Sequence, residues 1–365
     1  SPPTTTVPDD NFEDYLETHD ASGNVVSVGD ANSMGDGIDN NNLVTTANIS
    51  GVTTLDLSAQ NIADLTGIEY FTSITDLNCS DNQISSLNLT QNGLLEYLVC
   101  DNNQLSTIDL TQNGLLEYLE CNHNQLSIIN TSQNTSLTYL YCDNNSISTL
   151  DLSSNTSLER IVCDNNQLSS LGLTQNMALI SLLCENNNLT ALALYNNTSL
   201  EYLNCSNNQL SSLDLSQNTS LQSLYCQNNL MSTLDLTNLT NLNTFDCGVN
   251  QLNALNIKSG QNSSFSGYFN TVGNPDLICI NVDDVTWSIT NWTNIDAHTS
   301  FSNDCGGGFE NFTNLNVSSS YSDGSFVGNS SISWTYIASR NANGDANNSG
   351  ISLPALMLRR SASNS

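Results

Sequence analysis

Nine cysteines, Cys79, Cys100, Cys121, Cys142, Cys163, Cys184, Cys205, Cys226 and Cys247, follow one another at intervals of 21 residues without an exception. A period this strict means that one small unit is copied along the chain, and such units bury their apolar faces only by stacking on one another. Other positions keep the same spacing. Asn stands three residues after each of these cysteines, from Asn82 to Asn250. Apolar residues stand five and two before each, as Leu95 and Leu98 do for Cys100. Leu or Ile recurs five, eight and ten after most of them, as Leu105, Ile108 and Leu110. The unit reads L-x-x-L-x-C-x-x-N-x-L-x-x-L-x-L-x-x-N. A degenerate tenth unit comes first, with Leu55 and Leu57 in residues 52–60.

This pattern resembles leucine-rich repeats, whose unit opens L-x-x-L-x-L-x-x-N with Cys permitted at the third Leu. The 21-residue length and the second half L-x-x-L-D-L-x-x-N resemble a short bacterial subclass. The phrases Val7-Pro8-Asp9-Asp10-Asn11-Phe12, Asn61-Ile62-Ala63-Asp64-Leu65-Thr66-Gly67-Ile68 and Asn78-Cys79-Ser80-Asp81-Asn82-Gln83 are similar to segments of secreted Bacteroidetes proteins. The resemblance covers roughly residues 7–305. It implies a repeat solenoid of the α/β class, dominated by β-structure, with a parallel concave sheet and a cap at each end. It says little about function, because such repeats serve many partners.

Elementary physics agrees. Each L-x-C segment is expected to be a short strand pairing in parallel with the next turn at about 4.8 Å, so ten turns make a rod on the order of 48 Å long. The Asn after each cysteine suits an inward ladder whose amide bonds the backbone where the chain turns. A second ladder is expected from Asn92, Asn113, Asn134, Asn155, Asn176, Asn197 and Asn218, ending at Leu239. It also explains triplets such as Asn134-Thr135-Ser136 and Asn155-Thr156-Ser157 better than glycosylation does.

The nine ladder cysteines are odd in number, and neighbours about 4.8 Å apart with parallel Cβ vectors are too wide for a disulfide. No C-x-x-C spacing suggests zinc. They read as small apolar core residues. Cys279 and Cys305 break the period where the repeats end, and a solenoid must close its last turn with an atypical segment. Similar capping segments occur in the family that the repeats resemble. On that basis this pair is expected to form a disulfide, contributing roughly 3 kcal/mol and implying an oxidising compartment.

The expected organisation is a leader and helical cap over 1–51, repeats over 52–278, a cap over 279–305, and a linker with a partial β-rich module over 306–365. Residues 8–19 read as a helix capped by Asp9 or Asp10, with Phe12, Tyr15 and Leu16 covering the first repeat. In the turn-rich segment that follows, Asp30, Asn32, Asp36 and Asp39 offer oxygen ligands suited to calcium, although Asx turns explain them as well. Gly306-Gly307-Gly308 reads as a linker, and Ile332, Trp334 and Tyr336 alternate like a half-buried strand. Residues 309–365 resemble the opening of a β-sandwich module of secreted Bacteroidetes proteins, and they fall short of the about 100 residues such a module needs. The chain is therefore expected to stop partway through a larger protein.

The net charge is −31, with only five basic residues, Arg160, Lys258, Arg340, Arg359 and Arg360. Such a surface repels phosphate backbones, which argues against nucleic acid as a partner. No run of eighteen apolar residues suggests a membrane span, and no charged and apolar leader opens the chain. A secreted or cell-surface location is inferred rather than read. His19, His123 and His298 are isolated from one another and from any nucleophile or zinc motif, so no enzymatic activity is expected.

Positions three before, one before and one after each cysteine are expected to face outward in three columns on the concave side. The first two collect Tyr97, Tyr118, Tyr139, Tyr141, Arg160, Tyr202 and Tyr225, and the third is rich in carboxylates such as Asp101, Asp143, Asp164 and Glu185. Tyrosine supplies rigid contact area and a hydroxyl, although cross-strand packing also favours it. Arg160 is expected either to neutralise Asp143, Glu159 and Asp164 or to orient an acidic group of a ligand. The expected function is a binding or adhesion scaffold for a protein partner. A carbohydrate-binding module for a polysaccharide and a structural spacer without ligand are the alternatives. No cofactor is expected beyond the calcium candidate.

Overall fold

The computed structural model describes residues 2–265 and 267–305, with three further strands, Gly324–Val327, Ser333–Ile337 and Met357–Arg360. Eleven strands form one parallel sheet, from Thr54–Asp56 through Tyr97–Val99 and its repeats to Thr244–Asp246 and Phe269–Asn270. Each repeat strand holds three residues, paired in register with those 21 earlier and later, as Tyr97 with Tyr118. The middle residue points into the core and the ladder cysteine starts the turn, each cysteine being fully buried.

The strands are short because the second residue after each cysteine has a left-handed backbone: φ is 52° at Asn102, 50° at His123 and 52° at Asn144. Asn is common there because its short amide tolerates that region. Val249 is the exception, with φ 52° on an exposed β-branched residue. Val249→Asn is therefore expected to raise stability by about 1 kcal/mol. An unchanged denaturation midpoint would contradict this.

The Asn three after each cysteine closes the turn. Asn103 donates its amide to the carbonyls of Cys79 (2.9 Å), Cys100 (3.2 Å) and Asp101 (3.1 Å), and its Oδ1 accepts from Ile84 N at 2.9 Å. The same pattern runs from Asn82 to Asn250. Asn274, which lies off the period, continues it with Cys247 O and Leu252 N, both at 3.1 Å. The second ladder is fully buried, each amide donating to carbonyls of the preceding turn, as Asn134 does to Leu110 and Asn113. A glycan has no access to that nitrogen. The Oδ1 of Asn155 accepts from Thr131, which replaces the Leu of neighbouring turns, at 2.8 Å. Among the described residues, the other ladder Oδ1 atoms have no partner.

At the N-terminus, the helix Asp10–Thr18 is capped by Asp9, whose carboxylate accepts from Asn11 N and Phe12 N. Its second oxygen accepts from Ala63 N and Asp64 N, at 2.8 and 3.1 Å, tying the helix to the first turn. Phe12 and Leu16 are fully buried, and Phe12 stacks on Phe71 at 6.3 Å. Glu13 and Glu17 are buried too, and accept backbone N–H groups of Asn41 and of Asp36 and Gly37. A Cβ on Gly35 would strike the Glu17 carboxylate and displace it.

At the other end the parallel coil continues into the segment closed by the Cys279–Cys305 disulfide. A second parallel sheet of four strands, Thr233–Asp235, Ala254–Asn256, Cys279–Asn281 and Ser300–Ser302, runs across the position where the repeats were expected to stop. The Cys279–Cys305 disulfide is present, with the Cα atoms 5.7 Å apart. Phe265, Phe269 and Phe301 pack around Trp292, which stacks on Phe269 at 4.3 Å. The helix Val285–Asn291 is capped by Asp284. The glycine linker and Ile332 lie outside the described residues. Strands Gly324–Val327, Ser333–Ile337 and Met357–Arg360 form an antiparallel sheet.

Candidate binding face

The open face of the eleven-stranded sheet carries the tyrosines. Parallel, in-register pairing puts the side chains of one column about 4.8 Å apart, which is close to ring-stacking distance. Tyr97 and Tyr118 stack at 5.9 Å with 25° between planes. Tyr118 also meets Tyr139 at 6.1 Å and Tyr141 at 5.4 Å, so four rings form one group. Tyr97 and Tyr139 are the more open, 43% and 36% exposed. Tyr118 donates its hydroxyl to Glu120 at 2.7 Å, and Tyr139 to Glu159 at 3.3 Å. Burial, then the bond to Glu120, pushes the Tyr118 hydroxyl well above the usual tyrosine range.

Arg160 closes this group. Its guanidinium carbon lies 5.8 Å above the Tyr141 ring, a cation–π contact. This placement over an aromatic ring adds a contact to the two expected roles of Arg160, neutralising Asp143, Glu159 and Asp164 or orienting an acidic group of a ligand. Its Nε and the neighbouring Ser181 Oγ are buried without hydrogen-bond partners among the described residues. Beyond Ser181, Tyr202 and Tyr225 pair at 5.7 Å. The exposed Tyr268 adjoins them, its hydroxyl pushed up by burial, then by Asp246 and Tyr225. Sequence reasoning missed Tyr268, because it follows an insertion that breaks the period.

The third column is only partly open to water: Asp143 and Glu185 are half-buried. Asp101 and Asp164 are each only 9% exposed, and Ser206 is 1%. Strand alternation ends with the cysteine, so the next residue belongs to the turn and folds against the sheet edge. Burial, then the Asp143 charge, raises Asp164 to about 6, with Glu185 adding to it. Asp101 is raised by burial, then by Glu120.

The sign follows from linkage. A carboxyl whose folded value lies near 6, above an unfolded value of about 3.9, opposes folding at neutral pH, and that penalty falls away as pH drops through 6. Asp164→Asn is expected to raise stability at pH 7 and to change it little at pH 4. Equal denaturation midpoints at pH 7 would contradict the burial of a charged group here.

The remaining candidates are dispersed. Asp30 caps its own turn through Asn32, and Asp36 accepts from Ile38 N and the Asn41 amide. Asp39 is exposed. No group of three or more His, Cys, Asp or Glu side chains converges among the described residues. His19 stacks on Tyr15 in the cap at 4.0 Å, His123 is exposed in a repeat turn, and His298 is exposed near the C-terminal end. No helix among the described residues is long and apolar enough to cross a membrane.

An eleven-stranded parallel sheet built from 21-residue turns, with cysteine and asparagine ladders inside, defines a leucine-rich-repeat solenoid. Among solved structures it is similar to the functional domain of InlJ from Listeria monocytogenes, which also includes a cysteine ladder: 30% identity, TM-score 0.61, covering 79% of this chain and 65% of that one. The chain thus spans about two thirds of the length of that domain's chain. Internalin C2 from Listeria monocytogenes shares the fold at 21% identity and TM-score 0.51, covering 60% of this chain and 97% of its own. A TDR receptor shares it at 20% identity and TM-score 0.57, covering 65% and 45%. No family model and no curated protein matches the sequence.

Proposed function

We propose that this chain is a non-enzymatic binding scaffold of a secreted or cell-surface protein, and that it recognises a protein partner on the open, concave face of its sheet. The carrying observation is how the tyrosines stand. Tyr97, Tyr118, Tyr139 and Tyr141 pack ring against ring, one pair stacked and two tilted, and the hydroxyls of Tyr118 and Tyr139 donate to Glu120 and Glu159. A pyranose ring needs an open aromatic face to lie on; a comb of rings packed on one another beside the Glu120 and Glu159 carboxylates suits the side chains of a protein, basic ones above all. The disulfide supports an oxidising location. The phrases quoted above support a secreted Bacteroidetes-type origin.

Matched protein and glycan arrays probed with the labelled chain test this reading. Protein signals that weaken with added salt are expected. Strong polysaccharide signals with no protein signal would replace it with the carbohydrate reading, and silence on both arrays would favour a spacer.

A further inference from the structure

The repeats supply their own reference for what a surface position ordinarily carries. Four residues before the ladder cysteine stand Glu159 and Glu201 on either side of Ile180; seven before, Thr156 and Thr198 flank Met177; eleven after, Thr174 and Ser216 flank Tyr195. These polar columns turn apolar in one place. Met177, Ile180 and Tyr195 are 61%, 39% and 56% exposed, so none serves the core.

The fold gathers them on one flank. A tight turn closed by Leu179 N and Asn176 O, 3.2 Å apart, joins Met177 to Ile180. The Asn196 amide donates to Thr174 O at 2.8 Å and holds the Tyr195 segment against the strand of chain leading to Met177. The Ile180 N–H donates to Glu159 O at 2.8 Å, and its carbonyl accepts from Glu201 N at 2.9 Å. Two glutamates therefore flank Ile180 at the spacing of adjacent turns. In the same turns Gly172 and Ala193 replace the Asp or Asn that elsewhere caps the turn, as Asp151 and Asp214 do. The result is an apolar centre with an acidic rim, the layout of a protein interface.

We propose that Met177, Ile180 and Tyr195 form a second docking surface, which shares only Glu159 with the tyrosine comb, for a partner segment that combines an apolar anchor with flanking lysine or arginine. The rim decides the partner's charge. A second copy of this chain would bring another −31 against Glu159 and Glu201, and like charges facing each other are a barrier to association. A cationic segment meets the same rim favourably and covers the apolar centre.

The test is selection of short random peptides displayed on phage against the chain. The key variant carries Met177→Thr, Ile180→Glu and Tyr195→Ser, which restore residue types that neighbouring turns already hold at those positions and so preserve the fold. A control carries Leu94→Ser and Leu115→Ser, an exposed apolar pair elsewhere on the repeats. Enriched peptides should be net positive, should lose affinity about tenfold or more on the triple variant, and should bind the control and Tyr118→Ala/Tyr139→Ala like the parent. Failure to enrich, enrichment of neutral or acidic peptides, or equal binding to the triple variant overturns the proposal. Loss only on the tyrosine variant assigns the peptides to the concave face and overturns this proposal alone. A dimer in sedimentation that the triple variant abolishes gives the patch to a second copy and also overturns it.

Discussion

Asn166→Ala is expected to lower stability by about 2–4 kcal/mol, from one buried backbone N–H left without a partner and the loss of three further hydrogen bonds. The Asn166 amide, in a residue 8% exposed, donates to the carbonyls of Cys142 (3.0 Å), Cys163 (3.2 Å) and Asp164 (3.1 Å) and accepts from Ile147 N at 2.9 Å. Asp164 O keeps a second donor in Asn144 N, and the carbonyls of Cys142 and Cys163 keep the amides of Asn145 and Asn187, so Ile147 N is the group that depends on this side chain. Neighbouring turns stabilise one another pairwise, so a mid-array fault weakens both halves. Asn165→Gly is the control, since Asn165 sits at the left-handed position with φ 52°, which glycine adopts freely, and it should cost less than about 0.5 kcal/mol. Urea denaturation followed by circular dichroism measures both. Similar midpoints for the two variants would show that the ladder does not hold the turns.

Removing the disulfide is expected to be similarly costly. Cys279 and Cys305 close a loop of 26 residues, worth about 3.5 kcal/mol of chain entropy. The nine ladder thiols behave oppositely. All are free and buried, and burial pushes Cys79 and Cys205 up to about 12, where the reactive thiolate is scarce. Alkylation of the native chain should leave them unlabelled, and alkylation under denaturing, non-reducing conditions should label nine. One labelled thiol would mean disulfides within the ladder.

What could be read in advance was whatever the 21-residue period carried: the strands, both asparagine ladders and the buried cysteines. Asn274 escaped because it binds a carbonyl 27 residues earlier, where regular ladder residues reach back 24. The same insertion hid the strand Phe269–Asn270 and Tyr268. Asp164 was misjudged for a different reason. Strict in-and-out alternation holds only inside a strand, and these strands end one residue before the cysteine. A usable signal did exist for the turn caps: Asp followed two residues later by Thr or Ser marks Asp109, Asp151 and Asp214, each accepting that residue's N–H. The column positions of Tyr97, Tyr118, Tyr139 and Arg160 were legible, but their ring geometry was not, because rotamers depend on neighbours that one period does not specify.

The concave-face reading is tested most directly by the double variant Tyr118→Ala/Tyr139→Ala, measured against proteins bound by the parent and in parallel thermal melts. The two rings lie on the open face and leave the cysteine core untouched. Affinity is expected to fall about tenfold or more, as loss of aromatic anchors at an interface does, while the melting temperature moves by no more than about 4 °C. A large drop in melting temperature with affinity intact would contradict the account, reducing the tyrosine comb to cross-strand packing and placing recognition elsewhere.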